Sequence, residues 1–108
     1  MNDFSEQTMH NLARMPNAKI GFIINDESKF FHYKCCLNTL QLFEKNLIIT
    51  DNKYFYEVIN LTTNTVLTLC RPSAKARTSR SNLIFTDASI SEEDWHWSEE
   101  AAVSYQLL

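Results

Sequence analysis

Between residues 46 and 70 the chain alternates β-branched and aromatic runs with short turn sequences at hairpin spacing. Residues 46–50 read as a short strand, Asp51-Asn52 as a tight turn and residues 54–61 as a second strand. Thr62-Thr63-Asn64 then turns the chain into a third strand, Thr65–Cys70. Two consecutive hairpins make an antiparallel meander, the strongest structural constraint in the sequence. Tyr54, Tyr56 and Val58 alternate with Phe55, Ile59 and Leu61, so the middle strand is apolar on both faces. It is expected centrally in the sheet and covered on both sides.

The flanking segments add elements to this meander. Residues 3–15 read as a short helix capped by Asp3, with Glu6 reaching back, Phe4, Met9, Leu12 and Met15 as its apolar stripe, and Pro16 as its stop. Residues 19–25 and 29–36 read as strands around the turn residues Asp26-Glu27-Ser28, and residues 37–45 suit a helical turn or a strand equally. Pro72 closes the strand before it, and residues 71–81 lack apolar periodicity, which predicts a long exposed loop. Residues 82–86 suit a short strand. Ser91 with Asp94 forms a capping box, and Trp95, Ala102, Tyr105 and Leu108 recur at helical spacing, which predicts a helix over residues 91–108. The expected fold is a single α+β domain spanning residues 1–108. Its sheet would be a small antiparallel meander of about five to six strands, with an N-terminal and a C-terminal helix.

Composition removes several functions. A chain of 108 residues has room for one domain, and its 44% apolar fraction is ordinary for a packed one. Gly21 is the only glycine and lies within an apolar run. Phosphate-cradling loops, dinucleotide fingerprints and nucleophile elbows need several glycines for close backbone approach or positive φ, so none is expected. Cys35, Cys36 and Cys70 are odd in number and read as reduced thiols that pack structurally. His32-Tyr33-Lys34-Cys35-Cys36 has the wrong spacing for a tetrahedral zinc site, so neither metal nor cofactor is expected. A Cys–His nucleophile pair can be drawn from these residues, but no local signature supports it, and the expectation is a non-enzymatic chain. The polar start resembles no secretion signal, and no apolar run approaches the about 20 residues of a membrane span. A cytoplasmic location without membrane contact follows as the expectation.

Charge is segregated more sharply than the net −3 suggests. Residues 71–86 carry four bases and no acid: Arg71, Lys75, Arg77 and Arg80. Residues 87–108 carry six acids and no base: Asp87, Glu92, Glu93, Asp94, Glu99 and Glu100. The basic segment, with its small flanking residues, matches a flexible arm for phosphate or an acidic partner. Glu92, Glu93 and Asp94 also suit the positive end of a helix dipole, and Glu99 and Glu100 a solvated helix face. Trp95 and Trp97 diverge by about 200° on a helix, so either both are partly buried on a helix covered on two sides, or one faces the body and the other a partner. His96 among carboxylates is a candidate pH-sensitive contact.

Small size, scarce glycine, acidic balance and the lack of a catalytic signature give the chain a resemblance in style to small inhibitors and immunity proteins of bacteria, phages and mobile elements, including anti-defence proteins. The resemblance implies a protein-binding module that occupies a partner's surface. Glu92, Glu93, Trp95, His96, Trp97, Glu99 and Glu100 would meet a partner with a basic surface, such as a nucleic-acid-processing machine. The alternative expectation is a nucleic-acid-binding regulator working through Arg71, Lys75, Arg77 and Arg80.

Overall fold

Asp26 sets the course of the chain after its first strand. In the computed structural model, which describes residues 6–108, β1 (Lys19–Ile23) ends just before this residue. The Asp26 carboxylate accepts the Lys29 N–H at 3.0 Å and opens the helix α2 (Glu27–Asn38). The strand expected over residues 29–36 is therefore a helix. Adjacent aromatics suggest a strand, but Phe30, Tyr33, Leu37 and Leu40 recur every three or four residues and lie against one core. Phe31 points away from it and is 68% exposed. The ambiguous stretch 37–45 closes α2 and continues as a 3-10 turn, Thr39–Leu42.

The meander forms as the hairpin spacing requires. Strands β2 (Leu47–Asp51), β3 (Phe55–Asn60) and β4 (Thr65–Cys70) pair antiparallel in succession. The chain is α+β, and its six-stranded sheet has the order β2-β3-β4-β1-β5-β6, with β5 (Ser81–Thr86) and β6 (Ala102–Leu107) completing it. The sheet is mixed rather than an antiparallel meander throughout, because β1 pairs parallel with both β4 and β5, and β5 parallel with β6. Parallel neighbours need long crossovers, and α2 with the meander, the segment after β4, and the last helix supply them. The middle of the sheet is accordingly β4 and β1 rather than β3. Tyr56, Val58 and Asn60 of β3 are buried on one face, while Phe55, Glu57 and Ile59 on the other are half-buried.

Helices cover both faces. The helix α1 (Glu6–Ala13) and α2 pack Met9, Leu12, Tyr33 and Leu37 on Ile20, Phe22, Leu67 and Leu69. The expected cap Asp3 and the stripe residue Phe4 lie outside the described residues. On the opposite face Ile23, Cys70 and Ile84 form a smaller cluster beneath Ala74 and Trp97. The helix α3 (Glu92–Ala101) begins as expected: Ser91 Oγ accepts the Asp94 N–H at 3.1 Å and donates to the Asp94 carboxylate at 3.0 Å. It does not run to residue 108. Ala102 is extended, at φ −130° and ψ 154°, and the chain becomes β6. Val103, Tyr105 and Leu107 thus alternate on a strand, and the helical spacing of Trp95, Ala102, Tyr105 and Leu108 does not correspond to a shared face.

Candidate functional site: the α3–β6 edge

The basic segment is built into the fold rather than left as a loop. Residues Pro72–Thr78 wind as 3-10 turns, and Thr78 is buried against Gly21. A Cβ on Gly21 would stand 2.7 Å from the Thr78 Cβ, so this close approach requires the chain's single glycine. The Thr78 hydroxyl donates to Lys75 O at 2.7 Å, which fixes the turn from within.

Its cations are turned onto the protein's own carboxylates and rings. Arg71 donates to both Glu27 oxygens, at 2.5 and 2.9 Å, and its guanidinium lies 3.9 Å from the Phe30 ring centre. Lys75 meets Asp94 at 2.6 Å and sits over Trp97. Arg77 stacks 3.8 Å above Phe55 and faces Glu57 at 3.4 Å. Arg80 alone of the four is exposed with no ion pair among the described residues. Arg80 also adopts the left-handed region at φ 59°, where the chain reverses into β5.

The acidic segment divides differently. Asp94 is consumed by its cap and by Lys75, and Asp87 is buried at the carboxyl end of β5. Glu92, Glu93, Glu99 and Glu100 remain exposed, and among the described residues only Glu92 has an ionic neighbour, His96 at 3.5 Å. His96 stacks on Trp95, ring centres 5.2 Å apart, and Trp95 is 43% exposed. Trp97 turns inward to the cluster around Ile84. The helix turns Trp95 outward and Trp97 toward the sheet, and each keeps part of its ring covered.

Asp87 organises the end of the sheet next to this surface. The connections leaving β1 and β5, which are neighbours, run to helices on opposite faces. Such a switch point is where open sheets with parallel strands commonly hold ligands. Here the Asp87 carboxylate spans it, accepting the N–H groups of Asn25 and Asp26 at 3.0 and 2.9 Å and the Ser89 hydroxyl at 2.5 Å. Burial alone would raise its pKa, but these hydrogen bonds prevail and hold it below the usual 3.8. Beside the clamp lies a cleft of about 410 Å³ lined by Ile90, Glu92, Trp95, Tyr105 and Leu107. A second hollow of about 550 Å³, lined by Arg80, Trp97, Glu100 and Val103 among others, opens at the other end of β6.

Two of the three thiols are buried. Cys36 lies 3.8 Å from His32 on successive turns of α2, but burial pushes its thiol pKa up. Burial pushes Cys70 up to about 12, and Cys35 is exposed. No group of three or more His, Cys, Asp and Glu side chains placed to hold an ion occurs among the described residues. Among these residues, too, no helix is long and apolar enough to cross a membrane.

Three features of this surface escape sequence reasoning: the Asp87 clamp, the cleft residues Ile90, Tyr105 and Leu107, and β6 itself. An aspartate directly after a strand was the available signal for the first. The others depend on α3 ending at residue 101, which no glycine or proline marks. Neither protein-family models nor curated proteins give a match to this chain.

Proposed function

We propose that this protein is a non-enzymatic binding module of the inhibitor or immunity type, docking a basic partner surface through α3 and the adjoining edge of β6. The observation that carries this reading is the pairing of a half-exposed Trp95 over an apolar cleft with exposed carboxylates whose only ionic neighbour among the described residues is His96, beside Glu92. Tryptophan is a common interface anchor, and a lysine or arginine arriving at its ring would gain both the π face and Glu92. The surrounding negative field would speed encounter with a basic partner and repel nucleic acid. Against a nucleic-acid-processing machine, the carboxylates would compete with phosphate for its basic cleft.

Affinity capture from host cells, with mass spectrometry of the retained proteins, would identify the partner. Binding kinetics with Glu99→Lys/Glu100→Lys then test the mechanism. Association should slow by about tenfold or more and lose most of its salt dependence. Unchanged association would remove the acidic face from the interface. The nucleic-acid reading draws less support, since Arg71, Lys75 and Arg77 already face Glu27, Asp94 and Glu57. Steeply salt-dependent retention on DNA or RNA would favour it instead.

A further inference from the structure

The two edges of the sheet are treated differently by the sequence. Edge strands usually carry charge, proline or a bulge, because their free N–H and C=O groups otherwise template another strand. Strand β2, at one edge, ends on Asp51, which pairs with Lys34 at 3.0 Å. Strand β6, at the other, reads Ala-Val-Ser-Tyr-Gln-Leu, with no charge and no proline. Val103 is 86% exposed and Leu107 55% exposed.

The register shows which backbone groups of β6 lack a strand partner among the described residues. The Leu108 N–H donates inward to Thr86 O at 2.7 Å, and β6 pairs regularly with β5. Strand alternation then turns the N–H and C=O groups of Val103, Tyr105 and Leu107 to the open edge. Side chains of the same residues lie on the α3 face, where Val103 borders one hollow and Leu107 the other. Those two positions are about 13 Å apart at the usual strand rise.

We propose that the open edge of β6 receives an extended, basic segment of the partner as an added strand, with two apolar side chains four residues apart filling the two hollows. This deepens the reading of a basic partner and rests on it. Charge selects the occupant. An antiparallel second copy would set two α3 helices side by side on one face, bringing their exposed Glu92, Glu93, Glu99 and Glu100 together. A lysine- or arginine-bearing segment would instead neutralise them.

The probe is a synthetic peptide of about nine residues, alternating threonine with leucine or lysine, its two leucines four positions apart. Calorimetry should detect binding, and hydrogen exchange should slow at the amides of Val103, Tyr105 and Leu107, leaving Ser104 and Gln106 unchanged. Val103→Pro removes only an outward N–H, because proline is tolerated where a strand edge faces solvent. It should preserve the fold and weaken binding by about tenfold or more. Methylating the peptide's alternate amide nitrogens should do the same in the wild-type protein, independently of how the proline variant folds.

Binding that depends on Glu99 and Glu100 but leaves edge amides unprotected would overturn strand addition while leaving acidic docking intact. Equal binding of a glutamate-for-lysine peptide would overturn the basic partner as well. No detectable binding of the lysine peptide, or a dimer in sedimentation that Val103→Pro dissociates, would also overturn the proposal.

Discussion

Residues 71–80 and residues 87–101 are the most strongly charged stretches of the chain, of opposite sign, and the fold uses them in opposite ways. In the basic stretch three of the four cations end on internal partners, with rings beneath them. In the acidic stretch two carboxylates, Asp87 and Asp94, are internalised, and Glu92, Glu93, Glu99 and Glu100 stay in solvent. Charge in a sequence is therefore not charge at a surface. The bases are spent because their segment crosses over the sheet beside Glu27, Glu57 and Asp94. The glutamates stay exposed because α3 turns only one side to the sheet.

The sharpest break of this contrast is Asp87→Ala, which deprives the Asn25 and Asp26 N–H groups of their acceptor. Unfolding free energy should fall by about 3 kcal/mol in denaturant titrations. Because the folded-state pKa lies below the usual carboxylate value, Asp87 contributes stability above that value and loses it as pH falls through its own. The wild type should therefore lose stability in acid more steeply than Asp87→Ala. Parallel acid limbs would show that the clamp is energetically idle.

Next is Gly21→Ala, which forces a Cβ against Thr78 and tests whether the basic segment is fixed to the sheet. A loss of about 2 kcal/mol is expected. Were the segment a loose strap, Thr78 would move aside and the melting temperature would hardly change.

Arg77→Glu and Arg80→Glu separate a spent cation from a free one. The first loses the Phe55 stack and faces Glu57, for a cost of about 1 kcal/mol; the second should stay within about 0.5 kcal/mol. Equal costs would dissolve the distinction between them. Smallest of all should be Glu99→Lys/Glu100→Lys, with a stability change within about 0.5 kcal/mol. A larger thermal shift would mean that these glutamates hold the fold and not an interface.

Local chemistry was legible. Hairpin spacing gave the meander at 46–70, Ser91 and Asp94 gave the start of α3, and helical geometry gave the divergence of Trp95 from Trp97. Each rests on contacts within a few residues, so propensity and capping suffice to read it. The errors arose where local signals conflicted. Phe30, Phe31 and Tyr33 carry strand propensity, yet the Asp26 cap and the burial of one side made them helix. Trp95, Tyr105 and Leu108 fit a helical period, yet pairing with β5 drew residues 102–107 into a strand.

What only the tertiary structure decided is direction and partnership. That β1 lies beside β4 and parallel to it is settled by pairing between residues about fifty positions apart in sequence, such as Ile20 with Leu67. The pairing of Arg71 with Glu27, of Lys75 with Asp94 and of Arg77 with Glu57 follows from that arrangement. So does the edge that β6 leaves without a neighbouring strand among the described residues. Sequence neighbours determined which residues could cap, turn and alternate. Which charges and which backbone edge stay exposed was decided by the crossovers, because they bring distant segments together.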